Sequence, residues 1–315
     1  MKIAVLFPGQ GSQFLGMGKE FRDSNSECST IMAMAETACG LNLGSLSDDG
    51  PMEELTRATN LQPAITVANL ISWQAFVSET KGEFEISAFA GHSLGEYSAL
   101  HASGVISAED AVKLVSKRGF LMGREGDKNP GGMRAVLGLE IDAIEEVINS
   151  YNGPGVVTAA NHNTPQQIVI SGSMDALDAV SATFEEKGAK VIALNVSVAN
   201  HSPLLTDAVP DFTDFLADIP FNTPKTPIYF NVSAQQESDP VTMKDMMARQ
   251  IASRVRWYEI ITSMLDEGVD TFIEVGPKTV LKGMMRKIVP KGTKVTSLQF
   301  DSPATLAKCI EKLKA

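Results

Sequence analysis

The pentapeptide Gly91-His92-Ser93-Leu94-Gly95 lies between an apolar run at 85–90 that reads as a strand and a segment at 93–102 that reads as a helix closed by Gly104. A serine flanked in this way needs a tight turn at the carboxyl end of the strand, with the helix beginning at once. Glycine on each side tolerates the strained backbone and lets the helix pack closely against the strand. The serine then stands exposed on top of a sheet. The helix N-terminus aims N–H groups, that of Leu94 among them, at any anion forming beside it. The pentapeptide alone also fits an ordinary tight turn. Its strand-and-helix setting is what makes Ser93 a candidate nucleophile.

The rest of the chain alternates short apolar runs with longer amphipathic stretches, the pattern of an α/β protein. Residues 3–7 read as a buried strand entering the Gly-rich turn Pro8-Gly9-Gln10-Gly11-Ser12. Helices are expected at 26–39 and 62–80, the second with Ala64, Val67, Ala68, Ile71 and Ala75 on one stripe. Another should start at Ser107, with Asp110 completing a weak capping box. Residues 126–132 form a turn-rich break. Beyond it the order is strand 133–139, helix 141–150, strands 155–160 and 167–171, helix 174–187 and strand 189–195, a ferredoxin-like βαββαβ unit. Residues 271–275 read as a further buried strand. The expected architecture is a large α/β subdomain made of 1–127 and 198–315, with a ferredoxin-like small subdomain, 128–197, inserted.

Composition narrows the function classes. Of 315 residues, 43% are hydrophobic and 21% charged, enough for a packed core. Twenty-seven basic against 38 acidic residues give a net charge of −11, which speaks against nucleic-acid binding. Cys28, Cys39 and Cys309 show no metal-ligand or disulfide-framework spacing, so no metal site and a reducing compartment are expected. The opening apolar run stops at Pro8-Gly9, too short for a signal peptide, and no stretch nears the ~20 apolar residues of a membrane span. These features point to a soluble, cytoplasmic protein.

A serine nucleophile needs a base, and the chain has four histidines. His92 adjoins Ser93 at the sharpest point of the turn, where its ring should point elsewhere. His101 lies about 12 Å along the same helix, out of reach. His162 falls between two strands of the small subdomain. His201, in Ala199-Asn200-His201-Ser202-Pro203, sits where the chain re-enters the large subdomain and is the best candidate, although its spacing alone also fits a loop histidine. On the helix from Ser107, Arg118 falls within the apolar stripe of Ala111, Leu114, Val115, Leu121 and Met122. A guanidinium facing inward requires an anion, either a buried Asp or Glu or a ligand's carboxylate or phosphate. The turn Gly9-Gln10-Gly11-Ser12-Gln13 is neither a P-loop nor a dinucleotide fingerprint. At the carboxyl edge of a sheet it is placed to supply a second oxyanion N–H, and turn chemistry alone also explains its glycines.

Taken together, Phe7-Pro8-Gly9-Gln10-Gly11-Ser12-Gln13, Gly91-His92-Ser93-Leu94-Gly95-Glu96-Tyr97-Ser98-Ala99, Arg118, Asn161-His162-Asn163-Thr164-Pro165, Val169-Ile170-Ser171-Gly172, His201-Ser202-Pro203 and Glu274-Val275-Gly276-Pro277 closely resemble the malonyl-CoA:acyl carrier protein transacylases. The motifs run in family order from residue 5 to about residue 288. The resemblance implies an α/β-hydrolase-like large subdomain with a ferredoxin-like insertion. It implies ping-pong transfer through a Ser93 acyl-enzyme, with malonyl-CoA as donor, CoA as product, acyl carrier protein as acceptor and no tightly bound cofactor. By the same resemblance His201 is the general base, the N–H groups of Gln10 and Leu94 form the oxyanion hole, and Arg118 holds the malonyl carboxylate. Gln250 matches the position whose main-chain carbonyl orients the histidine, and His92, Asn161 and Asn163 are supporting residues. Stand-alone members are monomers by default, serving fatty-acid or polyketide synthesis. Many relatives carry Phe or Ser before the histidine where this chain has Asn200, which puts strict malonyl over methylmalonyl preference in question.

Residues 276–294 hold Lys278, Lys282, Arg286, Lys287, Lys291 and Lys294 and no acid, an exception in an acidic chain. Lys278, Lys282 and Arg286 are four apart and should share a helical face, forming with Lys287 either a docking patch for an acidic carrier protein or a solvated basic helix. Two rival classes remain: an acyl-thioester hydrolase and a non-catalytic scaffold. The order of Ser93 and His201, with no evident acid partner, speaks against a standard α/β-hydrolase. The retained Ser93, His201 and Arg118 speak against a scaffold.

Overall fold

The computed structural model describes residues 1–196 and 198–315. Its larger sheet has five parallel strands in the order β7-β2-β1-β8-β9, with β1 (Ile3–Phe7) at the centre, β2 (Ile86–Gly91) and β8 (Thr271–Val275) beside it, and β7 (Ile228–Tyr229) and β9 (Thr296–Phe300) at the edges. All five residues of β1 are buried, as a central parallel strand covered on both faces requires. Alternate side chains enter different cores. Ile3, Val5 and Phe7 join the cluster built with the Ala58–Thr80 and Ala108–Lys128 helices. Ala4 and Leu6 join Trp257, Ile260 and Ile261 of the Trp257–Asp266 helix and Leu281 and Met285 of the Val280–Ile288 helix. The Ala58–Thr80 helix starts earlier than expected and is buried on most of its circumference, because it lies between the sheet and its neighbours.

The second sheet is antiparallel, in the order β4-β5-β3-β6, from β3 (Gly132–Leu137), β4 (Val157–Thr164), β5 (Gln167–Gly172) and β6 (Lys190–Ala193). With the Ile141–Ser150 and Met174–Glu186 helices this is the ferredoxin-like βαββαβ order. Those helices cover one face through Ile144, Val147, Leu177, Val180 and Phe184. Met133, Ala135, Ala160 and Val169 form a small apolar cluster of their own.

Two expectations need correction here. The break expected at 126–132 starts later, because the Ala108–Lys128 helix runs through Gly126 to Lys128 and is capped by Asn129. Its start follows the expectation, the Ser107 side chain accepting from the Asp110 N–H at 3.0 Å. His162 stands not in a loop but within β4, which extends to Thr164. Its polar run Asn161–Thr164 looks like a turn in sequence. It remains a strand because its ladder with β5 continues to Thr164 opposite Gln167, and its outer edge is bridged as well, the His162 N–H donating to Val255 O at 2.9 Å and the Val255 N–H to Ala160 O at 2.8 Å. That bridge ties the second sheet to the segment leading into the Trp257–Asp266 helix. Residue 197, the expected end of the inserted segment, lies outside the described residues.

Candidate active site

Parallel strands place their carboxyl ends, and the loops that follow them, on one edge of the sheet. β2 ends at Gly91 and the Gly95–Ala102 helix begins four residues later, leaving Ser93 at φ +50°, in the left-handed region. The two glycines are required by contact. A Cβ on Gly91 would stand 2.0 Å from the Gly95 carbonyl carbon, and one on Gly95 would stand 2.1 Å from Phe7 O. His201 is the second strained residue of the site, at φ +59°.

Ser93 Oγ lies 2.7 Å from His201 Nε2. His201 Nδ1 faces two main-chain carbonyls, Gln250 O at 2.9 Å and Ser253 O at 3.0 Å. Carbonyls only accept, so Nδ1 carries the proton and Nε2 presents its lone pair to the serine hydroxyl. These carbonyls come from the Gln250–Ala252 turn that follows the Pro240–Arg249 helix and from Ser253, which caps that turn. Burial, reinforced by the Arg118 charge, pushes the His201 pKa down to about 3, so the ring is neutral at physiological pH.

Arg118 is 2% exposed. Its Nε donates to Gln250 Oε1 at 3.1 Å, its Nη1 to Gln62 Oε1 at 2.9 Å and its Nη2 to Ser93 Oγ at 3.2 Å. The sequence left open a buried ion pair or a ligand clamp, and each of these bonds ends on a neutral acceptor. A guanidinium has five N–H hydrogens, so these three bonds leave two over, with the buried Tyr97 hydroxyl also beside the group. Glu96, 1% exposed, faces Arg118 from behind Gln250. Burial pushes its pKa up to about 8 against the pull of its hydrogen bonds from Asn231 and Gln250 and of the Arg118 charge.

A cleft of about 450 Å³ opens above Ser93 and His201, between the loop after β1 and the open face of the second sheet. Gln10 is exposed on its wall and Leu94 is buried at the helix start. The Gly9 backbone packs so closely on the elbow that a Cβ there would stand 2.5 Å from His92 O. The His92 ring turns away from Ser93, its Nε2 2.8 Å from Asn163 Oδ1 and its edge against Trp257. Asn161, Asn163 and Asn200 line the cleft with it. His101 stays on its helix with Nδ1 3.3 Å from Ile106 O, and His162 pairs with Glu259 at 3.0 Å; neither reaches the serine.

The basic segment differs from its expected form. Lys278 precedes the Val280–Ile288 helix, whose N-cap is Thr279, and has φ +63°, so it shares no helical face with Lys282 and Arg286. That helix is capped instead by Glu274, which accepts from the Leu281 and Lys282 N–H groups at 2.9 Å each. Sequence reading missed Gln62, Glu96 and Asn231. The available signal was a buried-type position for two of them, Gln62 beside the apolar stripe of its helix and Glu96 inside the Ser93 motif.

No group of three or more His, Cys, Asp or Glu is placed to hold a metal among the described residues, nor is any described helix long and apolar enough to cross a membrane. The arrangement can carry nucleophilic acyl transfer: a hydroxyl activated by an oriented imidazole, beside a cation with free donors. The family described as "Acyl transferase domain" matches residues 5–301. The malonyl CoA-acyl carrier protein transacylase of Bacillus subtilis is 37% identical over 99% of this chain and 98% of its own length. The structure of an acyl carrier protein S-malonyltransferase from Vibrio cholerae superposes with a TM-score of 0.92, at 36% identity, covering 98% of this chain and all of that one. A malonyl-transacylase solved in complex with a type II polyketide synthase acyl carrier protein superposes with a TM-score of 0.94, at 32% identity, covering 99% and 100%. Shared over nearly its whole length, in sequence and in fold, these features make the chain a member of the malonyl-CoA:acyl carrier protein transacylase family of acyltransferases.

Proposed function

We propose that this chain transfers the malonyl group of malonyl-CoA to the phosphopantetheine thiol of an acyl carrier protein, supplying fatty-acid synthesis. The observation that carries the reading is Ser93 Oγ held between a lone pair, His201 Nε2 at 2.7 Å, and a cation, Arg118 Nη2 at 3.2 Å. As Ser93 Oγ attacks the thioester carbonyl, its proton passes to His201 Nε2. The N–H groups of Leu94 and Gln10 take the oxyanion, the C–S bond breaks, and the CoA sulfur leaves with the proton from His201. The carrier thiol reverses these steps, giving its proton to His201 as it attacks the Ser93 ester. Carbonyls at Gln250 and Ser253 hold the imidazole in its working tautomer, the task a carboxylate has in the serine triad.

Arg118 binds the malonyl carboxylate, which lies two bonds beyond the reacting carbon and so near the serine oxygen. Acetyl-CoA leaves the free donors of Arg118 unpaired and is selected against. His92, Asn161 and Asn163 support the far wall, and Asn200 borders the space beside the malonyl α-carbon, where a methyl branch would sit. Lys282, Arg286 and Lys287, with Lys278 beside the loop after β1, receive the acidic carrier protein at the cleft mouth, which Val280 and Met284 of the same segment line. CoA enters and leaves as a carrier of substrate. The free thiols of Cys28, Cys39 and Cys309 support a reducing, cytoplasmic setting.

Intact mass after mixing with malonyl-CoA or acetyl-CoA, without carrier protein and alongside Ser93→Ala, tests the reading. A persistent malonyl adduct, absent from the variant and weak with acetyl-CoA, is expected. Release of free CoA without an adduct would make the chain a hydrolase. Because one structural neighbour was solved with a polyketide synthase carrier, the loaded enzyme is then offered fatty-acid and polyketide carrier proteins in parallel.

A further inference from the structure

Ser93 keeps its left-handed backbone at a cost that something must offset. Both of its peptide groups are held by side-chain amides from distant parts of the chain. The Ser93 N–H donates to Asn231 Oδ1 at 2.7 Å, and Gln250 Nε2 donates to Ser93 O at 2.8 Å. Asn231 also spans the turn, its Nδ2 donating to Gly91 O at 2.8 Å. The two amides meet on one carboxyl group. Glu96 Oε1 accepts from the Asn231 main-chain N–H at 2.7 Å, and Glu96 Oε2 accepts from Gln250 Nε2 at 2.5 Å.

We propose that Glu96 is a positioning residue: through Asn231 and Gln250 its carboxyl clamps the nucleophile's backbone on both sides and aims the Gln250 side-chain carbonyl at Arg118. The inference rests on reading Ser93 as the nucleophile. The donor and acceptor count carries it. Gln250 Oε1 faces Arg118 Nε, which only donates, while Gln250 Nε2 faces Ser93 O and Glu96, which accept. A flipped Gln250 amide would set donor against donor at Arg118 and acceptor against acceptor at Ser93. Glu96, buried and out of reach of the reacting atoms, thereby fixes the amide that touches the nucleophile and the guanidinium together. Replacing it by glutamine puts an NH₂ against either the Asn231 N–H or the Gln250 NH₂. No orientation of the new amide satisfies both.

The test compares wild type with Glu96→Gln, reading thermal unfolding, the rate at which a fluorophosphonate probe labels Ser93, and loading from malonyl-CoA and acetyl-CoA, each per folded molecule. Labelling and both loading rates should fall about tenfold to a hundredfold, with KM for malonyl-CoA changed little, since a displaced nucleophile slows every acylation. A merely structural carboxyl would lower the melting temperature and leave the rate per folded molecule unchanged; labelling within about twofold of wild type overturns the proposal. Loss of malonyl loading with labelling retained overturns it too. Should Glu96→Gln fail to fold, Asn231→Ser is measured in the same way. It removes one arm of the clamp while Glu96 and Gln250 remain, and labelling within about twofold of wild type again overturns the idea. Wild-type loading from malonyl-CoA checks the proposed function separately, because fluorophosphonate labelling needs a serine nucleophile and no particular donor.

Discussion

Replacing Arg118 by alanine should abolish the choice between malonyl and acetyl donors. Arg118 spends three N–H groups on Gln62, Gln250 and Ser93, which fixes the plane of the guanidinium and leaves two for a substrate carboxylate. Two charge-assisted hydrogen bonds in a buried site contribute about 3–6 kcal/mol. At 1.36 kcal/mol per tenfold, kcat/KM for malonyl loading should fall by about 10²- to 10⁴-fold. The substitution also leaves a cavity and strips Gln62 and Gln250 of a partner, and those losses slow both donors alike. The quantity to measure is therefore the malonyl-to-acetyl ratio of single-turnover loading, followed by rapid quench and intact mass. Arg118→Lys serves as a second variant, keeping the charge but unable to bond both glutamines and a carboxylate at once. A ratio within about threefold of wild type in Arg118→Ala would refute the argument, because the carboxylate would then be recognised elsewhere.

Three further outcomes follow from the geometry. His201 is held near pKa 3 by burial and the Arg118 charge, so acylation should show no inflection between about pH 5 and 7, where an ordinary histidine titrates. The unfolded chain takes up this proton first, so the His201 contribution to stability is full above about 6.5 and is lost as pH falls toward 3; comparing the pH slope of unfolding in wild type and His201→Gln checks the sign. Charge reversal at Lys282 and Arg286 should raise the apparent KM for the carrier protein several-fold, steeply at low salt, while loading from malonyl-CoA is unchanged; an equal effect on both half-reactions removes the docking role.

The parts of the site that the sequence discloses are those set by local rules. Ser93 is legible because a strand-to-helix turn is a short-range object, and its glycines are dictated by contacts with Phe7 and within the turn itself. Arg118 is legible because a charge breaks an apolar stripe on its helix. His201 is legible as the best of four histidines from its place where the chain re-enters the large subdomain, but a loop role stays open, since its pairing with Ser93 spans 108 residues. The clamp around the nucleophile was invisible for the same reason, Glu96 and Asn231 being 135 residues apart. An acid in the first turn of a helix has an ordinary explanation in the helix dipole, so Glu96 drew no notice. In the fold, the ferredoxin-like order follows from periodicity. The strand identity of Asn161–Thr164 does not, because its polar side chains read as a turn while its pairing with β5 continues and Val255 bridges its outer edge from across the chain.

The missing third member of the triad has a physical rationale in this site. A carboxylate behind His201 would stand in the same buried volume as Arg118 and would compete with the substrate for its free donors. It would also raise the histidine pKa by favouring the imidazolium. Main-chain carbonyls orient the ring without bringing a net charge. The nearest buried acid, Glu96, is kept off the guanidinium by the Gln250 amide, whose NH₂ end faces the acid and whose oxygen faces Arg118. The cation thus makes no direct contact with that acid. On the proposed reading, the first carboxylate to meet it directly is the one carried in by the donor, which places the cost of a wrong choice at the moment of loading, before any acyl group reaches the serine.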